Sequence, residues 1–186
     1  DAAPLAIGVV DNPGDRQIDP LTVDFSRGSV VVQGDAGTGR TETLLSAAEA
    51  WLREKPNGVV FVLDGGSHRI QAGLRDRGYD WLCVSADSFT EISRALDLVQ
   101  ELAFSREYGF LIVIDVLERF VGFIEDGRQS RHWGEAVVEL LRFSRTLGVD
   151  LLVSCGSDFS FHRLMQGNVG VVYELGQNFV EHNLAR

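Results

Sequence analysis

At 186 residues, 45% hydrophobic and 24% charged, the chain has the size and balance of one globular domain with a core of its own. Its formal net charge of −10 repels phosphate backbones and anionic lipid surfaces, which argues against a DNA clamp and against direct membrane binding. The longest uninterrupted apolar runs, such as residues 110–114, fall far short of the roughly 20 residues that a membrane span needs.

Residues 5–10 (LAIGVV) and 21–25 (LTVDF) read as two strands flanking a turn-rich stretch, Asp11-Asn12-Pro13-Gly14-Asp15. Residues 29–33 (SVVVQ) form a β-branched run suited to a buried strand. A glycine-rich loop follows, then a helix over residues 41–52 with Leu44, Leu45, Ala48 and Leu52 at helical spacing. Residues 59–63 are the next strand, closed by Asp64-Gly65-Gly66. A helix over 68–78 and a short strand at 81–84 come after it. Residues 89–104 carry Ile92, Ala95, Leu96, Val99 and Leu102 on one helical face. Residues 110–114 (FLIVI) are a strand ending at Asp115. Residues 133–147 form another helix, with Ala136, Val137, Leu140, Leu141 and Phe143 apolar, and strands at 149–154 and 169–175 complete the pattern. Strands alternating with helices predict an α/β domain whose mostly parallel sheet has helices on both faces. No internal repeat, low-complexity segment or linker divides it, so residues 1–186 read as one domain.

The chemistry concentrates in Gly34-Asp35-Ala36-Gly37-Thr38-Gly39-Arg40-Thr41. Placed between a strand and a helix, this is the phosphate-binding P-loop pattern with arginine where lysine is expected. Glycines let the backbone curl so that its N–H groups point at phosphate oxygens, and the helix N-terminus adds its dipole. Gly34 through Thr41, with Glu42 behind, is therefore the expected contact set for ATP, and Thr41 places a hydroxyl for Mg²⁺. Arg40 keeps the charge but as a planar guanidinium rather than a point charge.

A second expected contributor is Asp115, an acid ending a hydrophobic strand, which is the Walker B pattern for holding Mg²⁺. Hydrolytic P-loop proteins commonly place a glutamate next, to polarise the attacking water; here Val116 stands there, with Glu118 near in sequence. Two altered parts at separate positions point to lost or very slow hydrolysis with ligand contacts retained. No residue is assigned as catalytic.

Taken together, these motifs resemble the FtsK/SpoIIIE group of RecA-like ATPases, and within it the tandem ATPase domains of EccC/EssC-type proteins of bacterial type VII secretion. The likeness runs over nearly the whole chain: Pro4 to Phe25 resembles the strand pair before the P-loop. Val62-Leu63-Asp64-Gly65-Gly66 resembles the acidic turn after the second core strand, and residues 147–154 resemble the stretch leading to a sensor position, at Ser154. The resemblance implies a RecA-like fold and a domain excised from a longer, membrane-anchored bacterial secretion protein, lying on its cytoplasmic side; the start at Asp1 instead of Met agrees with an excised segment. It also implies neighbouring ATPase domains in the same chain as partners, homo-oligomers, and a secreted protein substrate or its C-terminal signal. Arg40 and Val116 fit a degenerate downstream domain that binds ATP-Mg weakly or not at all and serves a regulatory or substrate-recognition role. A competent ATPase driving protein or DNA translocation, with Arg40 and Glu118 substituting, and a nucleotide-free interaction module are the alternatives.

Other residues carry weaker signals. Asp64 reads as a nucleotide-site contact or a turn cap, and Ser154 as a γ-phosphate sensor or a small strand-end residue. Arg69, Arg75, Arg77, Arg128, Arg131, Arg145 and Arg163 are candidate arginine fingers with none favoured. His132 and His162 read as surface or boundary residues. Val137, Leu140 and Leu141 read as core, or as a groove for a partner helix with Trp51 and Trp133 as anchors. Cys83 and Cys155 sit in apolar runs as buried free thiols, and no metal-ligand spacing is present.

Overall fold

The computed structural model describes residues 4–12, 17–65, 67–79, 83–85, 94, 97–98, 101, 109–122, 138, 140–142, 144–160, 165, 168–176 and 180–183. The chain begins with an antiparallel pair, β1 (Leu5–Asn12) and β2 (Gln17–Val23). Both strands run further into the predicted turn than their apolar cores suggested, because in a two-stranded ribbon Pro20 and the flanking polar residues need no second neighbour. Phe25, expected to end the second strand, instead opens a 3-10 turn (Phe25–Arg27) that Asp24 caps by accepting from the Ser26 N–H at 3.0 Å.

The body is a seven-stranded sheet. Its strands are β3 (Ser29–Gly34), β4 (Val59–Asp64), β5 (Cys83–Ser85), β6 (Phe110–Asp115), β7 (Val149–Cys155), β8 (Val169–Leu175) and β9 (Val180–Asn183), in the order β5-β4-β6-β7-β3-β8-β9. All neighbours are parallel except β8 and β9. The strand β9 lay in no predicted element. Continuous apolar runs suit strands covered on both faces, and burial confirms this: all six residues of β6 are buried.

Period-2 alternation sorts these strands into two cores. Val30, Val32, Val60, Val62, Leu111, Val113 and Leu152 face α1 (Arg40–Glu54) and α2 (Arg69–Asp76), meeting Leu44, Leu45, Ala48, Trp51, Ile70 and Leu74. Leu5, Ile7 and Leu21 of the hairpin pack onto the same core. On the opposite face Val31, Phe61, Leu63, Phe110, Ile112, Ile114, Leu151 and Val153 meet α3 (Leu117–Gly122) through Leu117 and Phe120. They also meet Leu140 and Leu141, which are helical. Helices thus cover both faces, as expected.

Leu140 and Leu141 are core. Trp51 is core too, at 1% exposure, and is no anchor for a partner: its indole N–H donates to Asp150 at 2.7 Å, and Lys55 bonds the same carboxylate oxygen at 2.7 Å. In the predicted helix over 89–104, residues 94, 97–98 and 101 are helical and exposed. Its apolar positions, together with Val137, Trp133, His132, His162, Arg128, Arg131 and Arg163, lie outside the described residues.

A phosphate-loop cradle at the carboxyl ends of the strands

Parallel strands deliver all their carboxyl ends to one edge, the place where α/β sheets bind ligands. Here β3 delivers Gly34, β4 Asp64, β6 Asp115 and β7 Ser154. Asp64 and Asp115 are paired in register. The alternation that places Val62 and Val113 against α1 and α2 also turns Asp64 and Asp115 to that side, so both carboxylates face the start of α1.

The predicted loop is formed as its glycines require. Gly34 packs so closely that a Cβ there would meet Thr38 Oγ1 at 2.6 Å and the Leu175 carbonyl at 2.8 Å. The Thr38 hydroxyl donates to the Asp35 carbonyl at 2.8 Å, closing the turn. Gly39 takes φ 96°, a left-handed conformation natural to glycine, and caps α1 with no side-chain hydrogen bond. The first amides of α1 therefore have no side-chain cap, the arrangement that accepts an anion. Below the loop, the Gln33 carboxamide donates to the carbonyls of Gly156 at 3.1 Å, Ser157 at 2.9 Å and Phe159 at 3.3 Å. Ser157 donates to the Asp35 carboxylate. Together they tie the segment after β7 to the cradle.

The two residues expected to hold Mg²⁺ are brought together. Thr41 Oγ1 lies 3.4 Å from Asp115 Oδ2, and Ser67 Oγ lies 3.3 Å from the same oxygen. Ser154 Oγ donates to Asp115 Oδ1 at 2.7 Å and accepts from the Val116 N–H at 2.9 Å. Asp115 is 1% exposed and Ser154 fully buried. A hydroxyl beside a carboxylate is an oxygen donor set of the kind Mg²⁺ takes alongside nucleotide phosphates, so the residues fit ATP-Mg. Among the described residues, no cluster of His, Cys, Asp and Glu forms a metal site without such a ligand.

Through these two bonds the Ser154 hydroxyl supports Asp115. Asp64 caps the turn with one oxygen: its Oδ1 accepts from the Ser67 N–H at 2.7 Å. Ser67 escaped the sequence reading, although its place after Asp64-Gly65-Gly66 was the available signal.

Arg40 does not point freely into the cradle. Its Nη1 lies 3.6 Å from Glu118 Oε1, and that oxygen also accepts from the Gly156 N–H at 3.0 Å. Arg40 Nη1 and Glu118 Oε2 are both buried without a hydrogen-bond partner. Val116 has φ 62°, a sparsely populated conformation for a β-branched residue, of the kind that collects at functional sites. It turns the chain directly from β6 into α3, and the Arg119 N–H bonds the Val116 carbonyl at 3.0 Å. Cys155 is buried, and burial first, then the Glu118 carboxylate, push its thiol up to about 12. Arg77 pairs with Glu49 at 3.1 Å.

Against solved structures, the chain matches EssC (ATPases 2 and 3) from Geobacillus thermodenitrificans with a TM-score of 0.73 at 13% identity, over 94% of this chain and 37% of that one. It matches the cytoplasmic domain of the Thermomonospora curvata type VII secretion ATPase EccC with a TM-score of 0.60 at 17% identity, over 93% of this chain and 23% of that one. The pCW3 conjugation coupling protein TcpA, in its monomer form with ATPγS, gives 0.64 at 14% identity, over 97% and 64%. The chain has the RecA-like P-loop ATPase fold. It spans little more than a third of the EssC structure and under a quarter of the EccC one. No protein-family profile and no curated protein matches it. Among the described residues, no helix is long and apolar enough to cross a membrane.

Proposed function

We propose that this chain is a degenerate FtsK/SpoIIIE-type ATPase domain of an EccC-type type VII secretion protein. It binds ATP-Mg weakly, turns it over negligibly, and regulates the motor or recognises its substrate. The observation that carries the reading is the pairing of Thr41 with Asp115 at 3.4 Å beneath an uncapped helix start, while the position after Asp115 carries an aliphatic side chain. The cradle is retained; the water-polarising group at that position is not. Likeness to the EssC and EccC structures supports the secretion context, with neighbouring ATPase domains as partners, a membrane-anchored parent protein, and a secreted protein or its C-terminal signal as the substrate-side partner. The acidic charge favours a protein over DNA.

Titration calorimetry of the purified chain with ATP and Mg²⁺, beside Thr41→Ala, tests this. Saturable binding that Thr41→Ala abolishes, without steady-state phosphate release, is the expected result. Phosphate release that Asp115→Ala abolishes would establish the competent-ATPase alternative, which gains weight from the Glu118 carboxylate lying beside Arg40 in the site. No binding at millimolar ATP would favour the nucleotide-free interaction module.

A further inference from the structure

Arg40 and Glu118 form an ion pair with an unusual gap. At 3.6 Å the charged atoms attract, yet no hydrogen bond joins them. Nη1 of one and Oε2 of the other stay buried and unpartnered. Buried charged donors are ordinarily satisfied, and an exception in a ligand cradle needs an explanation. A guanidinium at this position is well shaped for two phosphate oxygens at once.

The two partners are held unequally. Glu118 sits on α3 between Leu117, fully buried, and the Arg119 anchor, and its Oε1 is fixed by the Gly156 N–H. The Arg119 guanidinium donates to the Gly65 carbonyl, and the Phe120 ring is 1% exposed in the core. Arg40 starts α1, and its Nη1 makes no hydrogen bond, although its side chain is the less exposed of the two, 15% against 32%. Of the two, Arg40 is the one whose charged nitrogen no hydrogen bond holds in place.

Resting on the reading of Gly34–Thr41 as a nucleotide cradle, we infer that Glu118 is a built-in competing anion. It holds Arg40 until a nucleotide phosphate displaces it, and so sets the affinity of the site. Displacement leaves the Glu118 carboxylate with the Gly156 N–H but without its cation, beside the protonated Cys155 thiol and near Asp158. That uncompensated charge opposes binding each time a phosphate takes Arg40. The arginine therefore serves two anions, one of which is always present.

The test is calorimetric binding of ATPγS with Mg²⁺ to four proteins: wild type, Glu118→Gln, Arg40→Ala and the double variant. Glutamine keeps the shape and the Gly156 bond but removes the charge. Glu118→Gln is expected to bind up to about fivefold more tightly than wild type, the scale of one partly exposed ion pair. In the Arg40→Ala background the same change should bring no gain. A Glu118→Gln affinity equal to wild type, or a gain that survives removal of Arg40, overturns the competition while leaving the nucleotide reading intact. No binding by either wild type or Glu118→Gln, with both folded by circular dichroism, overturns both. Should Glu118→Gln fail to fold, Glu118→Asp, which shortens the reach to Arg40, must still tighten binding, or the inference falls.

Discussion

Replacing Ser154 with alanine removes the hydroxyl that supports Asp115, and its cost can be worked from the geometry. The hydroxyl donates to a carboxylate at 2.7 Å and accepts a backbone N–H at 2.9 Å, with Ser154 fully buried and Asp115 1% exposed. A hydrogen bond to a charged group contributes about 1.5–3 kcal/mol, and a buried N–H left unpaired costs about 1–3 kcal/mol. Since the strained Val116 backbone can relax once released, the two terms overlap, and a net loss of about 3 kcal/mol is expected. For a chain of this size that lowers the thermal midpoint by about 6–12 °C. Circular-dichroism melts of Ser154→Ala against Ser157→Ala, whose hydroxyl lies on an exposed segment, provide the comparison. A drop no larger than that of Ser157→Ala would refute the claim that Ser154 anchors the buried acid.

Asp150→Ala leaves the buried Trp51 indole N–H without its acceptor and frees Lys55; urea unfolding followed by tryptophan emission should show a loss of about 2 kcal/mol, with Asp150→Asn recovering part of it. Tyr173→Phe removes the bond from the ring hydroxyl to the Thr22 carbonyl that ties the hairpin to β8, and should speed amide exchange in β1 and β2 while costing about 1 kcal/mol overall. In a Cys83→Ala background, Cys155 should resist iodoacetamide at pH 8 in the native state and react fully in urea, because its thiol is held up to about 12. The unfolded thiol ionises first as pH rises past its ordinary value of 9.0. The stabilisation from this group is therefore whole below that pH and declines towards about 12, by about 1.4 kcal/mol per pH unit; equal stability at pH 8 and pH 10.5 in the Cys155→Ala comparison would contradict this.

The sheet was legible because its strands are covered on both faces and so are written as uninterrupted apolar runs, such as Val30-Val31-Val32 and Phe110 to Ile114. The cradle was legible because a tight loop has few sequences that can make it, and Gly34 and Gly39 are where the packing and the left-handed turn need them. Less visible were features set by the tertiary arrangement. That Ser154 holds Asp115 depended on the β6–β7 register. Whether Arg40 reached a ligand or an acid depended on where α3 began. The short β9 and α3 carry too few residues for a periodic signal, and the ends of β1 and β2 were hidden because their sequence there is polar.

The two departures from an active pattern, Arg40 and Val116, are linked through one element. A left-handed residue directly after Asp115 starts α3 at once, and this places Glu118 where it reaches both the Gly156 N–H at 3.0 Å and Arg40. An extended residue 116 would displace α3 and with it the acid that holds the arginine. Val116→Glu therefore should not recreate a hydrolytic site. At φ 62° the new carboxylate would leave from a backbone already crowded by Gly65, where an added Cβ would meet Val116 Cβ at 2.9 Å. Phosphate release by Val116→Glu should stay at the wild-type level, and the thermal midpoint should fall, since glutamate in this conformation is strained and loses the valine contacts. A rise in turnover from that single change would mean that the strand end can straighten around a base, and that Glu118 does not fix the state of Arg40.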